Sequence, residues 1–247
     1  ALARSPKAVC LFVPTAEVAG QAIDRLLRGG AQVVTMGTPA MPDRVGGHVD
    51  ATFPAGAELL GESLQLLAGS GKSYVLVHHF GGSTLATQCY DRFTYGARHQ
   101  FGMTMLEERS AEQGGVPVAQ VVRDLVERFR NTSLVVTLSP EPWLSESPAE
   151  LLGESNRFAA LSTTPALWPH LRSGKAAGLV GPIDGEIGSY AVEIAVRLIA
   201  DDKTVGTLHN VHCELVTGAT LDAFARRYAD AAGIPVSELL PGGAAQP

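Results

Sequence analysis

The feature that most constrains the fold is a regular alternation of short apolar runs with amphipathic segments along the chain. Residues 7–13 (KAVCLFV), 74–79 (YVLVHH) and 133–138 (SLVVTL) are apolar runs of strand length, and residues 116–130 carry apolar side chains at helical spacing. Further strands are predicted at 31–36, 44–50, 102–109, 157–163, 176–181 and 208–217, and further helices at 16–30, 54–69, 83–100 and 186–200. Continuous apolar strands that alternate with helices are typical of parallel sheets covered on both faces, so the predicted fold class is α/β.

Composition narrows the kind of protein. The chain has 247 residues, of which 45% are hydrophobic and 18% charged, as in a globular chain with a substantial core. This length fits one large domain or two lobes of roughly 120 residues each. The formal net charge of −6 argues against a nucleic-acid-binding surface, because phosphate binding needs a basic stripe. Cys10, Cys89 and Cys213 are too few and too scattered for a disulfide framework or a zinc site.

Residues 69–73 (GSGKS) resemble the end of a nucleotide-binding P-loop. The P-loop pattern requires a glycine five positions before Gly71, where this chain has Leu66. A helical pattern precedes the motif and an apolar strand follows it, which reverses the order that a P-loop needs. The phosphate-binding amides of a P-loop lie at a helix N-terminus, whereas this segment follows a helix C-terminus. The sequence therefore predicts a glycine-rich turn between a helix and a strand.

Histidines are the best candidates for metal binding or general base catalysis. They are His78 and His79 on one predicted strand and His209 and His212 on another. Neighbouring residues of a strand point to opposite faces, and no carboxylate accompanies them at ligand spacing, so no metal site is predicted.

Other catalytic patterns are weak as well. No GxSxG motif is present, and Glu107, Glu108 and Arg109 end a strand and are expected to face water. Trp143 and Trp168 follow strand ends and are expected to pack in the core or in a lid. No nucleophile, base and orienting group converge at one strand end, so the sequence predicts no catalytic residues and no cofactor.

Several motifs occur in an order that is informative only when they are taken together. They are GGAQVVTM (29–36), GGHVD (46–50), GSGKSYVLVHHFGG (69–82), DRFTYGARHQF (91–101), RSGKAAGLVGPIDGEIGSYAVEIAVRLI (172–199) and CELVTGATLDAF (213–224). Their order and spacing resemble the type I periplasmic-binding-protein family over nearly the whole chain. That family includes sugar-binding proteins of ABC importers and effector domains of lactose-repressor-type regulators.

The resemblance implies a two-lobed fold of parallel sheets flanked by helices. The expected N-terminal lobe is 1–49 plus 183–206, and the expected C-terminal lobe is 50–182 plus 207–247. The family's opening strand-helix-strand-helix has no counterpart, so we expect the N-terminal lobe of this chain to be incomplete, with strand 7–13 lacking a neighbour. The hinge is expected where the chain crosses between lobes, at Asp50, Pro182, Ile183 and Gly206.

Ligands of such sheets bind outside the carboxyl ends of the strands. On position alone, the expected ligand contacts are Thr38, His79, Asp91, Arg92, Ser139, Glu141 and Ser162. The family's sugar-contacting Asn, Asp, Arg and Gln are mostly replaced here, for example by Val13, Phe93 and Pro182. The resemblance therefore implies a pocket that is sparser in polar groups and more apolar than that of its sugar-binding relatives.

The function implied by the resemblance is the binding of a sugar or sugar-like molecule by closure of two lobes. The first expectation is the solute-binding component of an ABC importer, periplasmic or held at the cell surface as a lipoprotein, with a membrane permease as its partner. The alternative is the effector domain of a cytoplasmic lactose-repressor-type regulator, a homodimer that reaches DNA through a separate N-terminal domain. An enzyme on a doubly wound sheet is a second, weaker alternative.

Overall fold

The computed structural model describes residues 6–13, 16–78, 84–111, 116–153, 156–201 and 208–240. In this part of the chain, the contacts between residues divide into two compact units. Unit 1 consists of the chain up to Thr52, Ile183–His212 and Tyr228–Gly233, and unit 2 consists of Phe53–Pro182, Cys213–Arg227 and the chain from Ile234. Every helix of the described residues is too short or too polar to span a bilayer.

Unit 1 is built on a sheet of parallel strands. In the described residues the strand order is β1-β2-β3-β9, with bounds β1 (Ala8–Val13), β2 (Gln32–Gly37), β3 (Gly47–Ala51) and β9 (Leu208–Val211). Helix α1 (Ala16–Arg28) covers one face and helix α9 (Asp184–Ile199) covers the other. Successive residues of β2 point to opposite faces, so Val33 packs in one cluster with Ile23 of α1 and Val34 packs in another with Ala191 of α9.

Unit 2 contains a larger sheet with the order β10-β8-β7-β6-β4-β5 in the described residues. The strands are β4 (Ser73–His78), β5 (Thr104–Ser110), β6 (Leu134–Thr137), β7 (Arg157–Leu161), β8 (Ala176–Gly181) and β10 (Glu214–Val216). All pairs are parallel except β10 with β8. Every residue of β6 is buried, because helices cover both faces of this strand. The α/β class and the parallel sheets predicted from the sequence are confirmed.

The helices of unit 2 depend on two glycines for their closest packing. The helices are α2 (Phe53–Glu62), α3 (Leu64–Ala68), α4 (Thr84–Arg98), α5 (Val118–Arg128), α6 (Glu141–Ser145), α7 (Pro148–Leu152), α8 (Trp168–Arg172), α10 (Leu221–Ala232) and α11 (Val236–Leu239). Helix α10 runs from unit 2 into unit 1. A Cβ on Gly61 of α2 would lie 2.4 Å from the carbonyl oxygen of Phe93, and one on Gly96 of α4 would lie 2.4 Å from that of Glu58. Only glycine allows α2 and α4 to approach this closely.

Two predicted elements are divided in the structure. The helix predicted at 54–69 is interrupted at Ser63, whose hydroxyl donates to the carbonyl of Leu59 at 2.7 Å. The strand predicted at 208–217 is two strands, because residues 208–211 pair with β3 and residues 214–216 pair with β8. Residues 208–212 belong to unit 1, whereas the sequence predicted 207–247 in the C-terminal lobe.

The GSGKS segment has the predicted role of a turn. Helix α3 ends at Ala68, Gly69 has a φ of 64°, and β4 begins at Ser73. A left-handed φ of this kind favours glycine, which has no Cβ to clash with the backbone. The order helix, turn, strand is confirmed, and it is the reverse of the order in a P-loop.

Candidate ligand-binding edge of unit 2

The candidate site lies at one edge of the unit 2 sheet. Because β4, β6, β7 and β8 are parallel, their carboxyl ends share this edge, where ligands of open α/β sheets bind. Its described polar segments are Ser139–Glu141 after β6 and Ser162–Thr164 after β7, and we call these two segments the carboxyl edge. The strands β6 and β7 are neighbours with Thr137 opposite Ala160, so Ser139 and Ser162 follow at matching positions.

A buried tryptophan fixes the segment after β6. The indole N–H of Trp143 donates to the Thr137 hydroxyl at 2.8 Å, and that hydroxyl donates to the Ser139 carbonyl at 2.7 Å. The Trp143 ring is stacked on Phe158 with a centroid separation of 4.2 Å. Trp143 therefore packs in the core, as predicted, and holds the turn from which the exposed Glu141 begins α6.

The segment after β7 is fixed in a similar way. The Thr163 hydroxyl donates to the Pro182 carbonyl at 2.6 Å, and the fully buried Trp168 donates its indole N–H to the Thr163 carbonyl at 3.0 Å. The backbone N–H of Thr164 donates to the Ser162 hydroxyl at 3.2 Å. Ser139 and Ser162 are the two predicted site residues that carry a hydroxyl group, and both are half-buried. The hydrogen bonds of their segments leave the backbone at both residues little freedom.

A polar cluster on β4, β5 and α4 was not predicted. Nε2 of His78 lies 3.0 Å from Oε1 of Glu108, and the Tyr90 hydroxyl donates to Oε2 of the same carboxylate at 2.8 Å. The His78 and Tyr90 rings lie 4.8 Å apart. Burial, followed by the hydrogen bond to Glu108, raises the pKa of Tyr90 to about 12. We call His78, Glu108 and Tyr90 the histidine–carboxylate cluster.

The expectation that Glu107, Glu108 and Arg109 face water was wrong for the two carboxylates. Glu108 lies opposite Leu76 in the ladder, so it shares a sheet face with His78, two residues further along β4. The Glu107 side chain is mostly buried and pairs with Arg109 and Arg128. Successive residues of a strand point to opposite faces of the sheet, and this alternation along β5 could have shown that Glu108 lies on the other face from Glu107 and Arg109.

The predicted ligand contacts lie in different places. Thr38 follows β2 in unit 1, where its N–H donates to the Val13 carbonyl at 2.9 Å. Asp91 and Arg92 are exposed on α4, and Arg92 forms an ion pair with Glu58 of α2. Arg92 is eight positions beyond the first residue of α4, roughly 12 Å along the helix axis. Ser139, Glu141 and Ser162 thus lie at the carboxyl edge and Arg92 lies in its ion pair on α4, whereas His79 lies outside the described residues.

The predicted hinge residues lie near changes of contact unit. Pro182 and Ile183 are the last residue of one segment of unit 2 and the first residue of a segment of unit 1. Asp50 lies within β3, two residues before the change at Thr52–Phe53. Gly206 lies outside the described residues.

The remaining histidines of the metal hypothesis have separate surroundings. The His209 ring packs on Tyr190 with centroids 3.7 Å apart, and His212 is exposed. In the described ranges, no group of three or more His, Cys, Asp or Glu side chains is arranged to hold a metal ion.

Comparisons with known proteins identify the fold. No family model matches the chain, and no curated protein gives a significant match. An arabinose-binding protein from Geobacillus stearothermophilus superposes with a TM-score of 0.75 at 11% identity, covering 90% of this chain and 80% of that chain. An ABC transporter solute-binding protein from Agrobacterium vitis bound with α-D-tagatopyranose gives 0.74 at 16% identity, covering 92% and 80%.

A third solved structure represents the regulators. A LacI transcriptional regulator from Bacteroides fragilis superposes with a TM-score of 0.69 at 15% identity, covering 90% of this chain and 79% of that chain. These neighbours are binding proteins and a regulator, in agreement with the motifs in the sequence. The chain therefore has the fold of type I periplasmic sugar-binding proteins and LacI-type regulators.

Proposed function

We propose that the chain binds a sugar or sugar-like small molecule and carries out no reaction on it. The observation that carries the proposal is the fold similarity to solute-binding proteins whose structures contain D-arabinose and α-D-tagatopyranose, over 89% and 92% of this chain. The carboxyl edge supports it, because Ser139, Glu141 and Ser162 present two hydroxyl groups and a carboxylate on a fixed backbone.

The chemistry of this edge suits neutral polar ligands. A carboxylate accepts hydrogen bonds from ligand hydroxyls, and serine hydroxyls both donate and accept. A buried sugar hydroxyl needs such partners, because an unpaired one costs free energy. The backbone at the edge is already held by Trp143 and Trp168, so little ordering cost is added when a ligand binds.

As a biological role, we propose the solute-binding component of an ABC importer. Its partner would be a membrane permease, its location the periplasm or the cell surface, and its signal the closure of two lobes on the ligand. The regulator neighbour supports the second candidate, an effector domain that acts on DNA through a separate domain and dimerises. Cell fractionation of the natural protein separates the two, since an importer receptor is exported and a regulator stays with the DNA.

Calorimetric titration with D-arabinose, D-allose and D-tagatose tests the binding function. We expect saturable binding of at least one of them, and a loss of about tenfold or more in affinity in Glu141→Gln, which removes a charged hydrogen-bond acceptor. Glu150→Gln is the matched control, because Glu150 is also an exposed carboxylate in the first turn of a five-residue helix. Equal affinity in both variants would remove Glu141 from the site, and no binding of any sugar would refute the proposal.

A further inference from the structure

The outer edge of β1 is open in the sheet of unit 1. Among the described strands, β1 pairs only with β2, so the backbone N–H and C=O groups on its other side meet no strand. Its residues, AVCLFV, form a continuous apolar run, which is typical of a strand inside a parallel sheet. Edge strands of natural proteins instead carry charges, prolines or bulges that prevent further pairing. The strand therefore has the sequence of an inner strand in the position of an edge strand.

Helix α9 carries a row of exposed apolar side chains. Val192, Val196 and Ile199 are 56%, 59% and 46% exposed. They are four and then three positions apart, so they are neighbours on one side of the helix. A single exposed apolar residue is common on protein surfaces, whereas a continuous patch of them marks an interaction site. We call these three residues the apolar stripe.

The apolar stripe lies on the same side of unit 1 as the open edge of β1. Successive residues of a helix are rotated by about 100°. On one flank of α9, Tyr190 packs on His209 of β9 with ring centroids 3.7 Å apart, and β9 is at the other end of the strand order from β1. The stripe lies on the opposite flank, towards β1. The strand is close to the helix here, since the Cys10 thiol lies 3.4 Å from the Ala191 carbonyl oxygen.

The spacing of helices and strands defines what fits this surface. Residues of β1, β2 and β3 all pack against α9, so the helix is centred over β2. Packed helices lie about 8–10 Å apart, and neighbouring strands lie about 4.8 Å apart. The next helix on this face is therefore two strands along from β2, above a strand that pairs with the outer edge of β1. The partner that fits is a strand with a helix above it.

Size and distance limit where such a pair comes from. Each stretch outside the described residues holds at most seven residues, which is too short for a strand and a helix. A second copy that paired through β1 would place its α9 three strand spacings away, roughly 14 Å, and leave the apolar stripe uncovered. This chain covers 80% of the arabinose-binding protein and 80% of the tagatose-bound protein, so about a fifth of each of those chains has no counterpart in it.

We propose that a strand–helix pair of the natural polypeptide, outside residues 1–247, covers this surface. Its strand pairs with the outer edge of β1, and its amphipathic helix packs an apolar face on Val192, Val196 and Ile199. The inference concerns unit 1 alone, and it holds whether or not the carboxyl edge of unit 2 binds a sugar.

Hydrogen exchange of the natural polypeptide and of residues 1–247 tests the pairing of β1. We expect the amides of residues 8–13 to exchange at least about tenfold more slowly in the natural polypeptide, because a paired amide must open before it exchanges. The control is β2, which has a strand on both sides in either case and should exchange alike. Equal exchange of β1 in both would overturn the proposal. Protection of β1 in residues 1–247 that rises with concentration, as a dimer forms, would also overturn it.

Two variants test the apolar stripe in the natural polypeptide. Val196→Ser should lower the Tm by at least about 3 °C, because it removes a side chain packed under the added helix. Glu193→Ser, at an exposed position of the same helix, is the control and should lower the Tm by about 1 °C or less. In residues 1–247, Val196→Ser should match the control, since this side chain is exposed there. Equal Tm values of the two variants in the natural polypeptide would overturn the proposal, and this comparison decides alone if residues 1–247 do not fold.

Discussion

His78 in unit 2 and His48 in unit 1 are both buried but have different hydrogen-bond partners. They are 4% and 6% exposed, and each lies on a parallel strand. Nε2 of His78 lies 3.0 Å from Glu108, whose other oxygen accepts from Tyr90, whereas Nδ1 of His48 lies 2.9 Å from the Thr35 hydroxyl. Burial alone therefore does not describe the role of a histidine; what differs here is the partner, a hydroxyl at His48 and a carboxylate shared with Tyr90 at His78.

The two surroundings also predict opposite responses to mutation. In the histidine–carboxylate cluster, removal of one member takes a hydrogen-bond partner from another buried or half-buried group, which is the costly case for a hydrogen-bond network. At His48, removal of the ring nitrogens takes one hydrogen-bond partner from the Thr35 hydroxyl, which keeps the Gly47 carbonyl. The comparison is tested most directly by measuring the free energy of unfolding of matched variants.

The largest effect is expected for Glu108→Ala. It should lower the free energy of unfolding by about 2–3 kcal/mol, because His78 and Tyr90 both lose their shared acceptor. Urea denaturation followed by circular dichroism measures this. The control is Glu107→Ala on the same strand, which loses ion pairs with two exposed arginines and should cost no more than about 1 kcal/mol. Equal losses in both variants would contradict a special role for the cluster.

His48→Leu is expected to have a smaller effect than His78→Leu. Replacement of His48 should change the free energy of unfolding by no more than about 1 kcal/mol in either direction, because the Thr35 hydroxyl keeps the Gly47 carbonyl as an acceptor. Replacement of His78 should cost more, because Glu108 and Tyr90 remain behind in a partly buried place. A larger loss for His48→Leu than for His78→Leu would reverse the comparison.

The sequence predicted the strands of the unit 2 sheet but not the histidine–carboxylate cluster, and the reason is physical. Strands such as β4 and β6 are buried on both faces, so their apolar runs are visible without knowledge of their neighbours. The strand predicted at 208–217 contains no glycine or proline at its break, and only pairing with β3 and β8 shows where it divides. Partners in space, rather than local pattern, determine such boundaries.

The same limit applies to the site residues. Ser139, Glu141 and Ser162 could be placed because the ends of parallel strands lie at one edge. The ion pair of Arg92 with Glu58 could not, since it depends on the close crossing of α2 and α4 at Gly61 and Gly96. Glu108 was missed because a charged residue near a strand end usually faces water, and its partner His78 lies thirty positions earlier in the chain.

The pH dependence of the free energy of unfolding should show that His48 is buried and does not titrate like a histidine in water. Burial lowers the pKa of His48 below its ordinary value of 6.5, so the unfolded chain binds a proton first as the pH falls. Stability should therefore be unaffected by this group above pH 6.5 and should decrease as the pH falls below 6.5, down to the pKa of the folded state. Unfolding measured from pH 8 to pH 5 should show less of this decrease in His48→Phe, and identical profiles would contradict a buried neutral ring.

The smallest effect is expected at the ion pair of the exposed Arg92 with Glu58. Arg92 is about half exposed, so water and salt screen the pair, and Arg92→Ala should lower the free energy of unfolding by about 0.5 kcal/mol or less. Glu58→Gln should have the same small effect, and neither should equal Glu108→Ala, because Glu108 serves two partners, one of which is the buried His78. Measuring sugar affinity in the same two variants tests the predicted ligand contact of Arg92. A loss of affinity in Arg92→Ala alone would support that contact, whereas unchanged affinity in both would leave Arg92 with only its ion pair across the two helices.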